Sequence, residues 1–159
     1  MTITFRPPSK EDGKSIHQLI RDSKTLDLNS AYLYFLLADH FSETCVVAEE
    51  AGKLIGFASA YRLPKAPNTL FVWQIGVDAS ARGKGIASRM LQHLETRPFF
   101  SEIDRIQLTI SPSNAASRAL FEKWAKHLGT AIDTQTYLTE ADLGEGHEAE
   151  PLLTMNLKH

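Results

Sequence analysis

The sequence has little cysteine, little net charge and no long hydrophobic run. Its 159 residues include one cysteine, Cys45, so no disulfide bond can form within the chain. The formal net charge of -2 provides no overall basic field, and we predict no nucleic-acid partner. No stretch of about 18 apolar residues occurs, so we predict no membrane span. The segment from Met1 to Pro8 lacks the apolar core of a signal peptide, and we therefore expect a cytoplasmic protein.

Residues that typically bind metals or act as nucleophiles are also sparse. Cys45 precedes Val46 and Val47, a context typical of a buried strand, where a thiol packs as a small hydrophobic group. Cysteine and histidine residues do not follow the spacing of metal ligands. The sequence therefore predicts no metal site.

The length and composition are those of one folded domain. Hydrophobic residues make up 43% of the chain and charged residues 23%, a balance typical of globular proteins rather than of disordered chains. The sequence shows no internal repeat, low-complexity segment or obvious linker. We therefore predict a single domain that covers residues 1–159.

Hydrophobic periodicity predicts strands and helices in a mixed order. The expected strands are Thr2 to Phe5, Thr44 to Glu49, Leu54 to Leu63, Leu70 to Val77, Ile103 to Ile110, Thr130 to Leu138 and Leu152 to Leu157. The expected helices are Ser9 to Arg21, one that follows Ser30, Gly83 to Thr96, and Asn114 to His127. Pro64 to Asn68 are expected to form a loop. This order predicts an α/β fold of the α+β type, with helices flanking a mixed, mostly antiparallel central sheet.

One segment combines the end of a strand with glycines and the start of a helix. After Val77 the chain reads Asp-Ala-Ser-Ala-Arg-Gly-Lys-Gly-Ile-Ala, which ends at Ala87. Helix N-termini have unpaired backbone N–H groups and a partial positive charge, and glycines let a phosphate approach them closely. Arg82 and Lys84 add positive charge. The segment therefore predicts a cradle for a pyrophosphate group.

Other phosphate-binding motifs fit this segment less well. A Walker A loop requires Ser or Thr after its lysine, but Gly85 follows Lys84. A dinucleotide-binding turn requires a third glycine, where Ser88 stands, and an acidic residue after the next strand, where Ile110 and Ser111 stand. A helix start with incidental glycines remains as a simpler alternative.

The sequence resembles the GCN5-related N-acetyltransferase (GNAT) superfamily. The signature of that superfamily is Gln or Arg, two residues, Gly, one residue, and then Gly or Ala, which matches Arg82, Gly85 and Ala87. The helix that begins near Asn114 is similar to the second coenzyme A segment of these enzymes. The resemblance implies the acyl-CoA N-acyltransferase fold, acetyl-CoA as co-substrate and acetylation of a primary amine.

The resemblance also implies which residues bind acetyl-CoA. Backbone groups of Ile75 and Val77 would pair with the pantetheine arm, and backbone N–H groups from Arg82 onward would bind the pyrophosphate. The implied residues are Ile75, Gly76, Val77, Arg82, Gly83, Lys84, Gly85, Ile86, Ala87, Asn114 and Ser117. Phe121 stands where the family often has a tyrosine that protonates the departing thiolate, and a phenyl ring cannot donate that proton.

Longer segments resemble one branch of this superfamily, the L-2,4-diaminobutyrate acetyltransferases of ectoine biosynthesis. These segments are Leu26 to Leu37, His40 to Ala48, Phe71 to Asp78 and His147 to Glu150. The resemblance implies acetylation of the 4-amino group of L-2,4-diaminobutyrate, by direct transfer in a ternary complex. It also implies a homodimer. Pro151 and Thr154, in the final strand, depart from the pattern of this branch.

A site for this substrate should offer carboxylates to two ammonium groups and hydrogen-bond donors to one carboxylate. The resemblance implies that it is lined by Asp27, Tyr32, Trp73, Gln74, His147 and Glu150. Asp27 and Glu150 would hold the 2-ammonium group or take a proton, and Tyr32 would hydrogen-bond the substrate. Trp73 would wall the pocket or make a cation–π contact. Asp27 and His147 are the candidate catalytic residues: Asp27 could take a proton from the amine, and His147 could act as a base or orient one.

The same residues have simpler interpretations when they are considered one at a time. Asp27 precedes Asn-Ser, as turn residues often do, whereas Tyr32 and Trp73 are typical of core packing. His147 and Glu150 follow a glycine-rich segment that is typical of an exposed loop. Two other functions also remain open: acetylation of a polyamine, an aminoglycoside or a protein amine, and acetyl-CoA binding without catalysis.

Overall fold

The computed structural model describes residues 2–24 and 26–157, so positions 1, 25, 158 and 159 of the predicted domain lie outside the described residues. The helices are α1 (Gly13–Ser23), α2 (Ala31–His40), α3 (Ile86–Leu94), α4 (Ala115–His127) and α5 (Glu140–Leu143). The strands are β1 (Ile3–Arg6), β2 (Val46–Glu50), β3 (Lys53–Leu63), β4 (Ala66–Val77), β5 (Arg105–Thr109), β6 (Ile132–Leu138) and β7 (Glu150–Asn156). Each strand and helix expected from the sequence is present, and the short helix α5 is additional.

Two predicted boundaries are wrong around proline residues. The expected loop over Pro64 to Asn68 is a two-residue turn, because β4 already begins at Ala66. Pro67 is the second residue of β4, and a missing N–H group is tolerated at the start of a strand. The last strand begins at Glu150 rather than Leu152, because Glu150 already pairs with β6.

The expected helix over Gly83 to Thr96 is shorter at both ends. It begins at Ile86, because Gly83 and Gly85 have φ values of 84° and 69°, far from the helical region. It ends at Leu94. The glycines therefore form a turn before the helix instead of its first turn.

The chain divides into two compact units. The first comprises Met1–Tyr61 and Trp73–Phe100, and the second comprises Arg62–Val72 and Ser101–His159. Strand β4 contributes its first half to the second unit and its second half to the first. The strand order is β1-β2-β3-β4 in the first unit and β4-β5-β7-β6 in the second.

The first unit covers both faces of strand β2. Val47 packs in a cluster with residues of α1 and α2, including Ile16, Ile20 and Tyr34. The neighbouring Ala48 lies on the other face, near Gly56 and α3, because successive side chains of a strand alternate. This two-sided burial explains why the sequence from Cys45 to Ala48 is apolar without alternation.

The second unit combines one parallel and two antiparallel strand pairs. Strand β4 runs parallel to β5, with Leu70 opposite Ile106, and β5 runs antiparallel to β7. Strand β6 pairs antiparallel with β7, with Thr134 opposite Leu153. Ile106 and Leu108 are buried as their alternation predicted, and α4 buries Phe121 and Trp124.

Candidate active site

The glycine-rich turn leads from β4 into α3 within the first unit. Asp78 begins the turn, and its carboxylate accepts hydrogen bonds from the backbone N–H and the hydroxyl of Ser80. Gly85 caps α3 in a left-handed conformation, and its carbonyl oxygen accepts the N–H of Arg89 at 3.0 Å. The first N–H groups of a helix have no partner within that helix. This end of α3 therefore has backbone donors without a partner in the helix, and the anion site stays a prediction.

The side chains of this turn form an exposed, mixed-charge rim. Arg82 and Lys84 are exposed. The Nζ atom of Lys84 lies 3.7 Å from Oε1 of Glu50, and that of Lys53 lies 3.8 Å from Oδ2 of Asp78. In both pairs the lysine is exposed and the carboxylate is half-buried, and ion pairs that water can reach are weak. Because these pairs are weak, Lys84 can leave Glu50 for another anion at little energetic cost.

Three of the predicted substrate residues of the first unit have exposed side chains. Asp27 lies in the irregular segment between α1 and α2 and is exposed. Tyr32, in the first turn of α2, is 72% exposed, and Trp73, in β4, is 41% exposed. The alternative that Tyr32 and Trp73 are core residues is therefore wrong. The exposed side chains of Asp27, Tyr32 and Trp73 are each accessible to a ligand.

Gln74 differs from these three residues because its side chain is buried. It is 5% exposed, and its Oε1 accepts the hydroxyl of Tyr34 at 2.9 Å. Its Nε2 donates to the backbone carbonyl oxygen of Asp27 at 2.7 Å. Its backbone N–H donates to the hydroxyl oxygen of Ser59 at 3.0 Å. The structure thus joins Gln74 and Asp27 directly, by a side-chain-to-backbone hydrogen bond.

The second unit contains the remaining predicted coenzyme A residues. Asn114 is the N-cap of α4, and its Oδ1 accepts the backbone N–H of Ser117 at 3.1 Å. The cap leaves the amide nitrogen of the exposed Asn114 side chain as a donor. Phe121 is 5% exposed and packs against Trp124 with a ring-centroid distance of 6.3 Å. Its ring is thus a core group of this unit.

The second unit also brings the start of β7 close to the end of β5 and the start of α4. Glu150 Oε1 accepts the hydroxyl of Thr109 at 3.4 Å. Glu148 Oε2 accepts the backbone N–H of Ser113 at 3.3 Å, and the hydrogen bonds from Ser113 lower the pKa of Glu148. His147 lies in the preceding exposed loop, as its glycine-rich context predicted. Glu148 and Thr109 were missed by the sequence analysis, because nothing in their local pattern indicates these partners.

Two properties concern the described residues as a whole. Among residues 2–24 and 26–157, no group of three or more histidine, cysteine, aspartate or glutamate side chains is arranged to hold a metal ion. Within the same residues, every helix is too short or too polar to cross a membrane.

The sequence model of the acetyltransferase (GNAT) family matches residues 13–125, a range that includes the glycine-rich turn and most of α4. The chain belongs to the GNAT family. This membership confirms the predicted fold class, and the strand pairing agrees with it: β4 and β5 are parallel, whereas the pairs β1–β2, β2–β3, β5–β7 and β6–β7 are antiparallel.

Several GNAT proteins are similar to this chain over nearly all of its length. The L-2,4-diaminobutyric acid acetyltransferase of Halalkalibacterium halodurans is 46% identical over 151 residues, which are 94% of this chain and 79% of that protein. The enzyme of the same name from Vibrio cholerae is 46% identical over 155 residues, 97% of this chain and 90% of that protein.

A solved GNAT structure is similar to this chain in both sequence and fold. It is the diaminobutyrate acetyltransferase of Paenibacillus lautus, in complex with its substrate L-2,4-diaminobutyric acid and coenzyme A. It is 40% identical, covers 98% of this chain and 95% of its own, and superposes with a TM-score of 0.93. The resemblance to this branch of the family is thereby confirmed.

Proposed function

We propose that this protein transfers the acetyl group of acetyl-CoA to the 4-amino group of L-2,4-diaminobutyrate, a step of ectoine biosynthesis. The observation that carries this proposal is the similarity to diaminobutyrate acetyltransferases of 40–46% identity over at least 94% of the chain. GNAT proteins with other substrates share the coenzyme A motif, so that motif alone would not select this amine.

The glycine-rich turn is the proposed binding site for the pyrophosphate of acetyl-CoA. Backbone N–H groups at the start of α3 supply the donors, and Arg82 and Lys84 supply positive charge. The left-handed conformation of Gly83 and Gly85 lets the backbone bend into this cradle without a side chain in the way. Ile75 and Val77 are proposed to pair through their backbone with the pantetheine arm, and the amide nitrogen of Asn114 to donate to it.

The amine substrate needs acceptors for its two ammonium groups. In the first unit, the carboxylate of Asp27 is proposed to bind one ammonium, the hydroxyl of Tyr32 to hydrogen-bond the substrate, and the ring of Trp73 to contact it. In the second unit, Glu150 is proposed to bind an ammonium group and His147 to take part in proton transfer. Thr109 fixes the carboxylate of Glu150 and leaves its other oxygen as an acceptor.

The reaction requires a neutral amine, whereas an alkyl amine is protonated to an ammonium near neutral pH. Asp27 or His147 is proposed to take this proton, directly or through water. The nitrogen lone pair then attacks the thioester carbonyl, and the C–N bond forms. The C–S bond breaks with departure of the thiolate, and the nitrogen releases a second proton to solvent as the amide forms. Phe121 has no proton to give, so the thiolate takes one from solvent or leaves as the anion. Because transfer is direct, no acyl-enzyme forms.

A substrate panel tests this proposal. Thiol release from acetyl-CoA is measured with L-2,4-diaminobutyrate, ornithine, lysine, spermidine and a lysine peptide. We expect the largest kcat/KM with diaminobutyrate, and NMR of the product should place the acetyl group on the 4-amino nitrogen. Acetyl-CoA alone should give no burst of thiol release, because no covalent intermediate forms.

The other outcomes of the panel each contradict part of the proposal. Preference for another amine would refute the substrate, and acetylation at the 2-amino group would refute the regiochemistry. Binding of acetyl-CoA without turnover of any amine would favour a binding module.

We also propose a cytoplasmic homodimer with a role in osmoprotection. Sedimentation equilibrium tests the dimer, and the single domain over residues 1–159 stays a prediction.

A further inference from the structure

A buried chain of hydrogen bonds links α2 and β4 to the irregular segment that contains Asp27. Tyr34 is fully buried, and its hydroxyl donates to Oε1 of Gln74 at 2.9 Å. Nε2 of Gln74 donates to the carbonyl oxygen of Asp27 at 2.7 Å. The Tyr34 hydroxyl also accepts the backbone N–H of Asn29 at 3.4 Å. The two side chains together therefore hold two backbone groups of the segment, on either side of Leu28.

The other contacts that the structure describes for this segment, residues 26–30, lie at its two ends. It is neither helix nor strand, so no regular ladder satisfies its backbone groups. Leu26 packs against the core of the first unit, whereas Leu28 is 47% exposed. Leu26 thus anchors one end of the segment, and Ser30 anchors the other as the N-cap of α2, which accepts the backbone N–H of Leu33. The hydrogen bonds from Tyr34 and Gln74 hold the backbone between these two ends.

The chemistry of each partner fixes the direction of these bonds. A backbone carbonyl can only accept, so the NH2 end of the Gln74 amide faces Asp27 and its oxygen faces Tyr34. The Tyr34 hydroxyl then donates to Gln74 and is free to accept from Asn29. The ring of Tyr34 is held between His17 and Phe57, with centroid distances of 5.8 and 6.4 Å. A buried network of this kind holds one arrangement, because each group would lack a partner in any other.

We propose that Tyr34 and Gln74 are positioning residues that hold the Asp27 segment in the conformation that binds the amine substrate. Neither side chain touches the substrate: Tyr34 is 0% exposed and Gln74 is 5% exposed, with its amide engaged at both ends. This inference rests on the proposed role of Asp27 in amine binding. It replaces the direct contact predicted for the side chain of Gln74 with an indirect action.

Two substitutions test the inference, each with a matched control. Tyr34→Phe keeps the buried ring and removes the hydroxyl, and Gln74→Met keeps the volume and removes the amide. Tyr137→Phe and Gln135→Met make the same chemical changes on the exposed strand β6. We expect each test variant to raise KM for diaminobutyrate roughly tenfold while KM for acetyl-CoA changes by less than about twofold. The controls should change neither constant.

Two further measurements separate positioning from direct binding and from general destabilisation. KM for diaminobutyrate in the double variant should resemble that of either single variant, because both substitutions act through the same segment. If the two residues made independent contacts, their effects on KM would multiply. Amide exchange at Asn29 should rise about tenfold in Tyr34→Phe and stay unchanged in Tyr137→Phe. An effect of Gln74→Met without any effect of Tyr34→Phe would overturn the inference in favour of a direct contact. Equal rises in both KM values would overturn it in favour of general destabilisation.

Failure of the proposed function would look different. If the wild-type protein does not acetylate diaminobutyrate, the substrate is wrong, and the exchange at Asn29 still reports on the network. If Asn29 exchanges equally in the wild type and Tyr34→Phe, the network does not hold the segment, whatever the substrate is.

Discussion

Replacing Gly85 by alanine tests whether the conformation of the glycine-rich turn matters for acetyl-CoA binding. Gly85 has a φ of 69°, in the left-handed region, at the residue that caps α3. A Cβ atom added there meets no other atom within 4 Å. The substitution therefore acts through backbone conformation and not through a clash.

The expected loss of stability follows from this conformation. An alanine in the left-handed region costs about 1 kcal/mol relative to glycine. For a chain of this size, a loss of this magnitude lowers Tm by roughly 3 °C. Part of the strain can be relieved if the backbone of the turn rotates away, and this rotation would misplace the first N–H donors of α3. We therefore expect KM for acetyl-CoA to rise about fivefold, with KM for the amine nearly unchanged.

Gly52 provides the matched control. It lies in the turn between β2 and β3 with a φ of 77°, and a Cβ atom added there likewise meets nothing within 4 Å. Gly52→Ala should lower Tm by a similar amount and leave KM for acetyl-CoA unchanged. Thermal melts and initial rates at varied acetyl-CoA measure both effects. If Gly85→Ala lowers Tm as Gly52→Ala does but leaves KM for acetyl-CoA unchanged, the turn does not bind acetyl-CoA through its backbone conformation.

Three further predictions concern buried and paired groups outside the site. Arg97 is 9% exposed and donates to three backbone carbonyl oxygens before β2. Arg97→Met should therefore lower the free energy of unfolding, measured by urea titration, by about 3 kcal/mol. The control Arg21→Met, at an exposed position, should lower it much less. The hydrogen bond from Arg6 lowers the pKa of Asp12 below its ordinary value, so its stabilisation is present above about pH 4 and is lost as pH falls through the folded-state pKa. The stability difference between the wild type and Asp12→Asn should accordingly shrink below pH 4. Burial raises the pKa of Cys45 to about 12, so its thiol should react with iodoacetamide at pH 8 only after unfolding.

Much of the fold was predictable because its strands and helices bury regular patterns of side chains. Ile106 and Leu108 alternate with polar residues on β5 and are buried as expected. The boundaries that failed depend on backbone conformation, which the hydrophobic pattern does not encode. Gly83 and Gly85 delay the start of α3, and Pro67 is accepted within β4. To predict these two boundaries, one would need to know the φ value of each glycine and the strand partner of Pro67.

The candidate site divides in the same way. The position of the glycine-rich turn was predictable because glycines and cations cluster at the start of a helix in the sequence, whereas its conformation was not, and phosphate binding there stays a prediction. Long-range partners were not predictable, since Gln74 meets Tyr34 across 40 positions and Glu148 meets Ser113 across 35. A glutamine in a strand next to an exposed tryptophan resembles a ligand contact in sequence, and only its burial reveals an internal role.

The two tyrosines of α2 show why exposure decides which residues can contact a ligand. Tyr32 and Tyr34 are two positions apart, so their side chains leave an α-helix in nearly opposite directions. If one packs in the core, the other must face outward, but the apolar sequence of α2 does not say which. The structure buries Tyr34 completely and leaves Tyr32 72% exposed. The Tyr32 hydroxyl is therefore available to a substrate, whereas the Tyr34 hydroxyl can influence one only through the protein atoms that it holds.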